Sequence, residues 1–180
     1  MRRVLAMLPV LGAIWLTACS DPPAPPAPES STTTSTNPVD PSNSVSLAGA
    51  SLKYDPARNP AEDLKLAVAE ATKTGKRILV EVGGEWCVWC HIMDKYFLDH
   101  PELTKYRDQK YVVLRVNFSE ENENKAFLAQ YPKIGGYPHL YVLDSDGTLL
   151  HSQDTAQLES DRSYDLERLT HFLRQWAPSR

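Results

Sequence analysis

Two cysteines separated by two residues and followed directly by a histidine stand near the middle of the sequence. They are Cys87, Cys90 and His91, within the segment EWCVWCHIM. This pattern is typical of two chemistries: a dithiol that closes and opens as a disulfide, and the covalent attachment of a c-type haem. Two intervening residues at a helix start would place both sulfurs about one turn apart, which is close enough for a disulfide. The spacing therefore permits redox exchange without unwinding the helix.

The two cysteines are not equivalent in such an arrangement. Cys87 would lie at the helix N-terminus, where unpaired backbone N–H groups and the positive end of the helix dipole favour a thiolate over a thiol. Cys90 would lie one turn further in and be more sheltered. We therefore predict that Cys87 is the nucleophile and that Cys90 resolves the mixed disulfide that Cys87 forms with a substrate.

The haem interpretation and a structural zinc site are the alternatives. In a haem protein, His91 would be the proximal ligand, and Met93 is too near in sequence to reach the opposite axial position. The remaining candidates for that position are His100, His139, His151 and His171. A β-rich second half is unlike the small helical cytochromes, and a zinc site would lack a fourth ligand beside Cys87, Cys90 and His91. We therefore predict no metal and no cofactor.

The N-terminus predicts where the protein works. Arg2 and Arg3 precede an almost wholly apolar stretch, residues 4–16, which is typical of an export signal and shorter than the roughly 18 residues that a membrane-spanning helix needs. The stretch ends in LTAC, which resembles the lipobox of bacterial lipoproteins. That resemblance implies that residues 1–18 are a signal peptide and that Cys19 is lipidated; the alternative is an ordinary cleaved signal with a chance cysteine. We expect a lipid-anchored protein of the bacterial cell envelope, with its domain in the periplasm.

Beyond Cys19 the composition divides the chain into a tether and a domain. Residues 19–50 are rich in Pro, Ser and Thr and contain no aromatic residue, so they cannot bury enough apolar surface to fold. Residues 51–180 contain nearly all the aromatic residues and have the size of one domain. The net charge is −4 and there is no basic run, so nucleic acid is not an expected partner.

The sequence of the domain predicts strands that alternate with helices. The predicted helices are Asn59–Gly75, Cys87–Leu98, Pro101–Arg107, Glu120–Gln130 and Tyr164–Trp176. The predicted strands are Lys76–Val82, Tyr111–Phe118, Pro138–Asp144 and a hairpin partner, Thr148–Ser152. This order predicts an α/β fold, a mixed central β-sheet with helices on both faces.

The same order resembles that of the thioredoxin-like superfamily. The motif WCVWC follows the first strand, Glu81 stands six residues before Cys87, and FLAQYPKIGGYPHLYVLDSDG is similar to the segment that carries the superfamily's cis-proline. The likeness covers roughly residues 64–176. It implies a thioredoxin-like fold for this chain.

The resemblance also implies roles for residues around the cysteines. Glu81, if buried beneath the pair, would exchange a proton with Cys90 through a water; otherwise it is a strand-end carboxylate in solvent. A cis Tyr137–Pro138 bond would lie against the disulfide and present the Tyr137 backbone to an extended substrate.

The residues next to the cysteines complete the predicted substrate site. Trp86, Val88 and Trp89 are expected to contact substrate, and Trp89 is expected to be exposed between the two cysteines. The alternative for both tryptophans is ordinary packing.

The resemblance implies a membrane-tethered thiol-disulfide oxidoreductase that acts on exported proteins with thiols or disulfides. Reduction is favoured by analogy with other thioredoxin-like lipoproteins. Because the predicted domain holds no cysteine besides the pair, a membrane redox partner would have to recharge it. The rival hypothesis is a redox-inactive binding or chaperone module with the same fold.

Overall fold

The computed structural model describes residues 53–179, in which a four-stranded mixed sheet carries a hydrophobic core on each face. The predicted signal peptide, the predicted anchor Cys19 and the predicted tether lie outside the described residues. No helix in this part of the chain is long and apolar enough to cross a membrane.

The elements follow one another as the sequence predicts, with strands and helices in alternation. The helices are α1 (Pro60–Thr74), α2 (Val88–Asp99), α3 (Pro101–Lys110), α4 (Lys125–Leu128) and α5 (Leu166–Gln175). The strands are β1 (Arg77–Gly83), β2 (Tyr111–Asn117), β3 (His139–Leu143), β4 (Leu149–Asp154), β5 (Glu159–Ser160) and β6 (Ser163–Tyr164). A 3-10 turn, Thr155–Leu158, joins β4 to β5.

The main sheet has the strand order β2-β1-β3-β4. β1 and β2 are parallel and are joined through α2 and α3, because parallel neighbours need a long crossover connection. β3 is antiparallel to both β1 and β4. The turn between β3 and β4 contains Gly147 at φ +89°, a conformation that glycine adopts without a steric penalty. The fold is therefore thioredoxin-like, with a mixed sheet between two helical layers.

Strand β1 is the centre of the domain, and its side chains alternate between the two faces. Three of its aliphatic residues pack on the α1 side: Ile78, Val80 and Val82. Leu79 packs on the other side, against Met93 of α2 and Leu169 of α5. Since successive residues of a strand point to opposite faces, Glu81 faces the α2 side with Leu79. The strand thus directs one carboxylate toward the helix that carries the cysteines.

Helix α1 begins and ends at the residues that the sequence indicates. The Asn59 side chain accepts a hydrogen bond of 3.0 Å from the backbone N–H of Ala61, and Pro60 occupies the first helical position. Gly75 ends the helix at φ +70°.

Three predicted helices have wrong bounds, and the one predicted over Pro101–Arg107 continues to Lys110. The predicted helix Glu120–Gln130 is reduced to the single turn α4, because asparagine side chains hold the residues before it in a polar loop. The Asn117 amide donates to the Asn122 carbonyl at 2.9 Å, and Asn124 adopts a left-handed conformation at φ 48°. The last helix starts at Leu166 and not at Tyr164, since Tyr164 belongs to the short ribbon β5–β6 and Asp165 caps the helix.

Substitution of two leucines near the start of α5 tests how much the core beneath this helix contributes to stability. Leu169 is buried against β1 and α2, whereas Leu166 is half-exposed on the same helix. We expect Leu169→Ala to lower the free energy of unfolding by about 2–5 kcal/mol in urea titrations. Leu166→Ala should lower it by less than about 1 kcal/mol. Equal losses in the two variants would contradict this packing of α5.

Candidate functional site

The two cysteines lie just beyond the carboxyl end of β1 and form a disulfide. Cys87 is the N-cap of α2, and Cys90 lies in its first turn, with the two Cα atoms 5.2 Å apart. The Cys87 sulfur also accepts a hydrogen bond of 3.1 Å from the backbone N–H of Cys90. Cys87 is 3% exposed and Cys90 is fully buried, while Val88 between them is 68% exposed. Access from solvent is therefore on the Cys87 side.

Two glycines, the last residue of β1 and the residue after it, let other groups approach closely near the disulfide. A Cβ atom on Gly83 would lie 2.5 Å from the Cys90 sulfur and 2.9 Å from the Tyr54 ring. A Cβ atom on Gly84 would lie 2.4 Å from the Trp86 indole nitrogen. Distances this short are incompatible with any side chain. The Gly83–Gly84 pair thus allows the sheet, the disulfide and the aromatic side chains to meet.

Glu81 is buried on the α2 side of the sheet and has two partners there. The Tyr54 hydroxyl donates to its Oε1 atom at 2.7 Å, and the Arg115 Nε atom lies 3.6 Å from its Oε2 atom. Arg115, on the neighbouring strand, also binds both carboxylate oxygens of Asp94 on α2. The alternative of a strand-end carboxylate in solvent is wrong, because Glu81 is only 2% exposed. A buried carboxylate is tolerated here because it is both paired and hydrogen-bonded.

Burial and charge act together on this group of side chains. Burial alone would lower the pKa of Arg115, but the negative charges of Glu81 and Asp94 outweigh it and raise that pKa. Burial, with the negative charge of Glu81, raises the pKa of Tyr54 well above its ordinary value. Arg115 thus keeps its charge and Tyr54 keeps its proton at neutral pH.

Tyr54 and Arg115 are not among the site residues that the sequence suggests. Tyr54 comes from the segment before α1, and its only signal is that it is the first aromatic residue after the Pro/Ser/Thr-rich stretch. Arg115 gives a clearer signal, since it is the one charge within the apolar run YVVLRVNF. A charge in a buried strand requires a buried partner, and Glu81 lies opposite it in the β1–β2 register.

The peptide bond between Tyr137 and Pro138 is cis. The carbonyl oxygen of Pro138 accepts a hydrogen bond of 2.6 Å from the Thr155 hydroxyl, which holds the loop from the side of β4. The Tyr137 side chain packs against the cysteine pair and stacks on Phe118 at 4.8 Å between ring centroids. The loop therefore covers one side of the disulfide.

The two tryptophans of the motif have different surroundings. Trp86 is 55% exposed, donates from its indole N–H to the Phe118 carbonyl at 2.6 Å, and meets Tyr137 edge-on at 5.5 Å. The expectation that Trp89 is exposed is wrong: its ring is half-buried and meets Tyr164 edge-on at 5.7 Å. The short ribbon β5–β6 contains Tyr164 and is absent from the predicted elements. It packs on α2 and covers the Trp89 ring. Trp86 and Val88 remain at the surface beside the disulfide.

His91 lies on the exposed side of α2, and its Nε2 atom is 2.8 Å from the Glu85 carbonyl oxygen. The hydrogen bond ties the first turn of the helix to the loop before it. Over residues 53–179, no three His, Cys, Asp or Glu side chains are grouped so as to hold a metal ion.

The close approach at Gly83 can be tested by adding a methyl group. We expect Gly83→Ala to lower the free energy of unfolding of the oxidised protein by about 1–3 kcal/mol, because the added methyl group would lie within 3 Å of a sulfur held in the disulfide and of a ring whose hydroxyl is hydrogen-bonded to Glu81. Gly135→Ala is the matched control, since a Cβ atom there meets nothing within 4 Å. Urea titrations would contradict this geometry if both variants kept the parent stability.

Comparisons with known proteins agree with this geometry. A family model described as thioredoxin-like matches residues 59–145. The chain is 33% identical over 95 residues to thiol:disulfide interchange protein DsbE of Pseudomonas aeruginosa, covering 53% of this chain and 44% of that protein. It is 29% identical over 76 residues to disulfide bond reductase DsbH of Chlamydia pneumoniae, covering 38% of this chain and 45% of that protein. The matches thus span less than half the length of these curated relatives.

A solved structure supports the fold. The disulphide isomerase from Xylella fastidiosa Temecula1 superposes with a TM-score of 0.57 and 22% identity, over 68% of this chain and 94% of that one. The matched segment carries the CxxC pair at the start of α2, and the solved structure shares the fold, so the chain contains a thioredoxin-like domain.

Proposed function

We propose that this protein is a thiol-disulfide oxidoreductase that acts on exported proteins. The observation that carries the proposal is the Cys87–Cys90 disulfide at the start of α2, beside a cis-proline and above a buried carboxylate. The similarity to a thiol:disulfide interchange protein and to a disulfide bond reductase supports it.

The position of Cys87 suits it to be the nucleophile. It caps α2, so the unpaired N–H groups and the positive end of the helix dipole stabilise the negative charge of a thiolate. In the reduced protein, the Cys87 thiolate attacks a substrate disulfide and expels one substrate thiolate. Cys90 then loses its proton and attacks the Cys87 sulfur, which releases the second substrate thiolate and restores the Cys87–Cys90 disulfide. Two electrons pass from the pair to the substrate.

The surface around the disulfide supports binding of an extended substrate. The exposed side chains of Trp86 and Val88 belong to the two neighbours of Cys87 in sequence, and Tyr137, of the cis Tyr137–Pro138 bond, packs against the cysteine pair. Backbone groups at a cis-proline can pair with a polypeptide of any sequence, and exposed apolar side chains add contact area. Trp89 supports this surface from within, through its contact with Tyr164.

We propose reduction as the direction of exchange. A disulfide bond reductase is among the relatives, and the only cysteines of the chain are Cys19 and the pair. The domain has no internal thiol to regenerate Cys87 and Cys90, so a redox partner must supply electrons after each turnover. A partner in the membrane fits a chain that we propose to be anchored there.

A redox titration tests the direction of exchange. The full chain carrying Cys19→Ser would be equilibrated in glutathione buffers, trapped by alkylation and read by intact mass. We expect a single two-thiol transition near or below about −220 mV, as for reducing thioredoxin-like proteins. A chain that also carries Cys87→Ser and Cys90→Ser should show no transition.

Other results would overturn the proposed function. A transition near about −120 mV would indicate an oxidase. Cysteines that fail to exchange would indicate a redox-inactive binding module. A chain heavier by one haem, with both cysteines blocked, would make His91 an axial ligand.

The proposed anchor has its own test, although Cys19 lies outside the described residues. We expect the parent chain to fractionate with bacterial membranes and to carry covalent lipid, and Cys19→Ser to remove the lipid and release the protein from the membrane fraction. Ser20→Ala, at the neighbouring position, serves as the matched control. Unchanged membrane association of Cys19→Ser would contradict lipid anchoring.

A further inference from the structure

Tyr54 is the tyrosine whose hydroxyl meets the buried carboxylate beneath the disulfide. We infer that this hydroxyl relays a proton from Cys90 to Glu81 when Cys90 resolves the mixed disulfide. The inference deepens the proposed function and rests on it. In this relay, the Tyr54 hydroxyl takes the place of the water molecule that the sequence-based hypothesis puts between Cys90 and Glu81.

The first support is that the hydroxyl contacts Glu81 and borders the same space as the Cys90 sulfur. It donates to Glu81 Oε1 at 2.7 Å, and the Tyr54 side chain packs in one buried cluster with Cys87 and Cys90. A Cβ atom placed on Gly83 would lie 2.9 Å from the hydroxyl oxygen and 2.5 Å from the Cys90 sulfur. The hydroxyl and the sulfur therefore flank the same small space.

The second support is burial. Tyr54 is 3% exposed, and Glu81 and Cys90 are at least as well covered. A proton that leaves the Cys90 sulfur consequently has no direct route to bulk water in this arrangement. A hydroxyl that accepts one proton while it donates another provides a path through the protein.

The third support is the way in which Tyr54 is held. Its backbone N–H donates to the Glu85 carboxylate at 2.8 Å, and the carbonyl of Pro56, two residues on, accepts from the Asn122 side chain at 2.8 Å. The Arg115 guanidinium lies over the Tyr54 ring, 5.2 Å from its centroid. The segment is thus fixed at several points before any substrate arrives, which keeps the hydroxyl in place.

The two oxygens of Glu81 face different groups. Arg115 donates to both carboxylate oxygens of Asp94, and its Nε atom lies 3.6 Å from Glu81 Oε2. Oε1 is the atom that faces Tyr54. Glu85 also borders the segment but is engaged by the Tyr54 backbone. Glu81 is therefore the carboxylate placed to take up the proton.

The Cys90 thiol gives its proton to the Tyr54 oxygen, and Tyr54 gives its own proton to Glu81 Oε1. The Cys90 sulfur then forms a bond to the Cys87 sulfur, and the bond between Cys87 and the substrate sulfur breaks with its electron pair. The substrate leaves as a thiolate, and Glu81 then releases the proton to solvent, which restores the carboxylate that pairs with Arg115 in the disulfide form.

The test follows both half-reactions with one probe. The full chain carrying Cys19→Ser would be reduced and mixed by stopped flow with the aromatic disulfide dithiobis-nitrobenzoate. Attack by Cys87 releases one coloured thiolate, and attack by Cys90 on the mixed disulfide releases a second. We expect Tyr54→Phe to slow the second phase by about 10- to 100-fold and to leave the first within about twofold.

The controls separate a relay from a structural role. Tyr111→Phe is the matched variant, because that buried hydroxyl also donates one hydrogen bond of 2.7 Å, to the Leu173 carbonyl, at the opposite end of the sheet. It should leave both phases unchanged. Glu81→Gln keeps an acceptor for Tyr54 but cannot take a proton, so it should slow only the second phase. When Glu81→Gln is combined with Tyr54→Phe, the second phase should be only slightly slower than in either single variant.

Each outcome bears on the inference. A second phase in Tyr54→Phe as fast as in Tyr111→Phe overturns the relay while the first phase upholds the proposed function. Slowing of both phases together, with a lower stability to urea, also overturns it, since that result shows a structural role. Absence of the first phase in the parent chain overturns the proposed function and the relay with it. A solvent isotope effect on the second phase that disappears in Tyr54→Phe supports the relay.

Discussion

The burial of the Glu81 carboxylate under the disulfide is the interaction on which the rest of the site depends. A carboxylate in an apolar core is tolerated only with hydrogen bonds and a compensating charge, because an isolated one would cost several kcal/mol. Here Tyr54 supplies the hydrogen bond and Arg115 the charge, each from a different part of the chain. The requirement explains why a segment before the first helix is drawn over the end of the sheet and why a charged residue interrupts strand β2.

The same requirement links the sheet to helix α2. Arg115 reaches both Glu81 and Asp94, so the strand beneath the disulfide and the helix that carries it share one cation. Since a buried charge that loses a partner is strongly destabilising, this link fixes α2 over β1 and β2. Because Gly83 has no side chain, the Cys90 sulfur and the Tyr54 ring both have room at the end of β1. The position of the cysteines therefore depends on the polar contacts between the sheet and α2 as well as on the helix itself.

The opposite side of the disulfide is covered by aromatic rings. Tyr137 stacks on Phe118 and meets Trp86 edge-on, and the cis bond to Pro138 brings this group against the sulfurs. Offset and edge-on ring pairs contribute attraction beyond the burial of area, so the cover is specific in shape. Trp86 and Val88 remain accessible, and an approaching polypeptide meets them beside Cys87. The pair thus lies between a polar support, which suits proton transfer, and an apolar surface, which suits protein contacts.

Local patterns in the sequence determined the order of the main strands and helices, the caps of α1 and the cysteine spacing. Each of these depends on residues close together in the chain, through periodicity, capping or turn chemistry. The tertiary structure alone decided the partners: Tyr54 lies 27 residues from Glu81, Asp94 lies 21 from Arg115, and Tyr164 lies 75 from Trp89. It also shortened α4, where asparagine side chains replaced helical hydrogen bonds, and buried much of Trp89 beneath a ribbon too short to show a strand pattern. Contacts of this kind form only when distant segments pack together, and no local pattern specifies them.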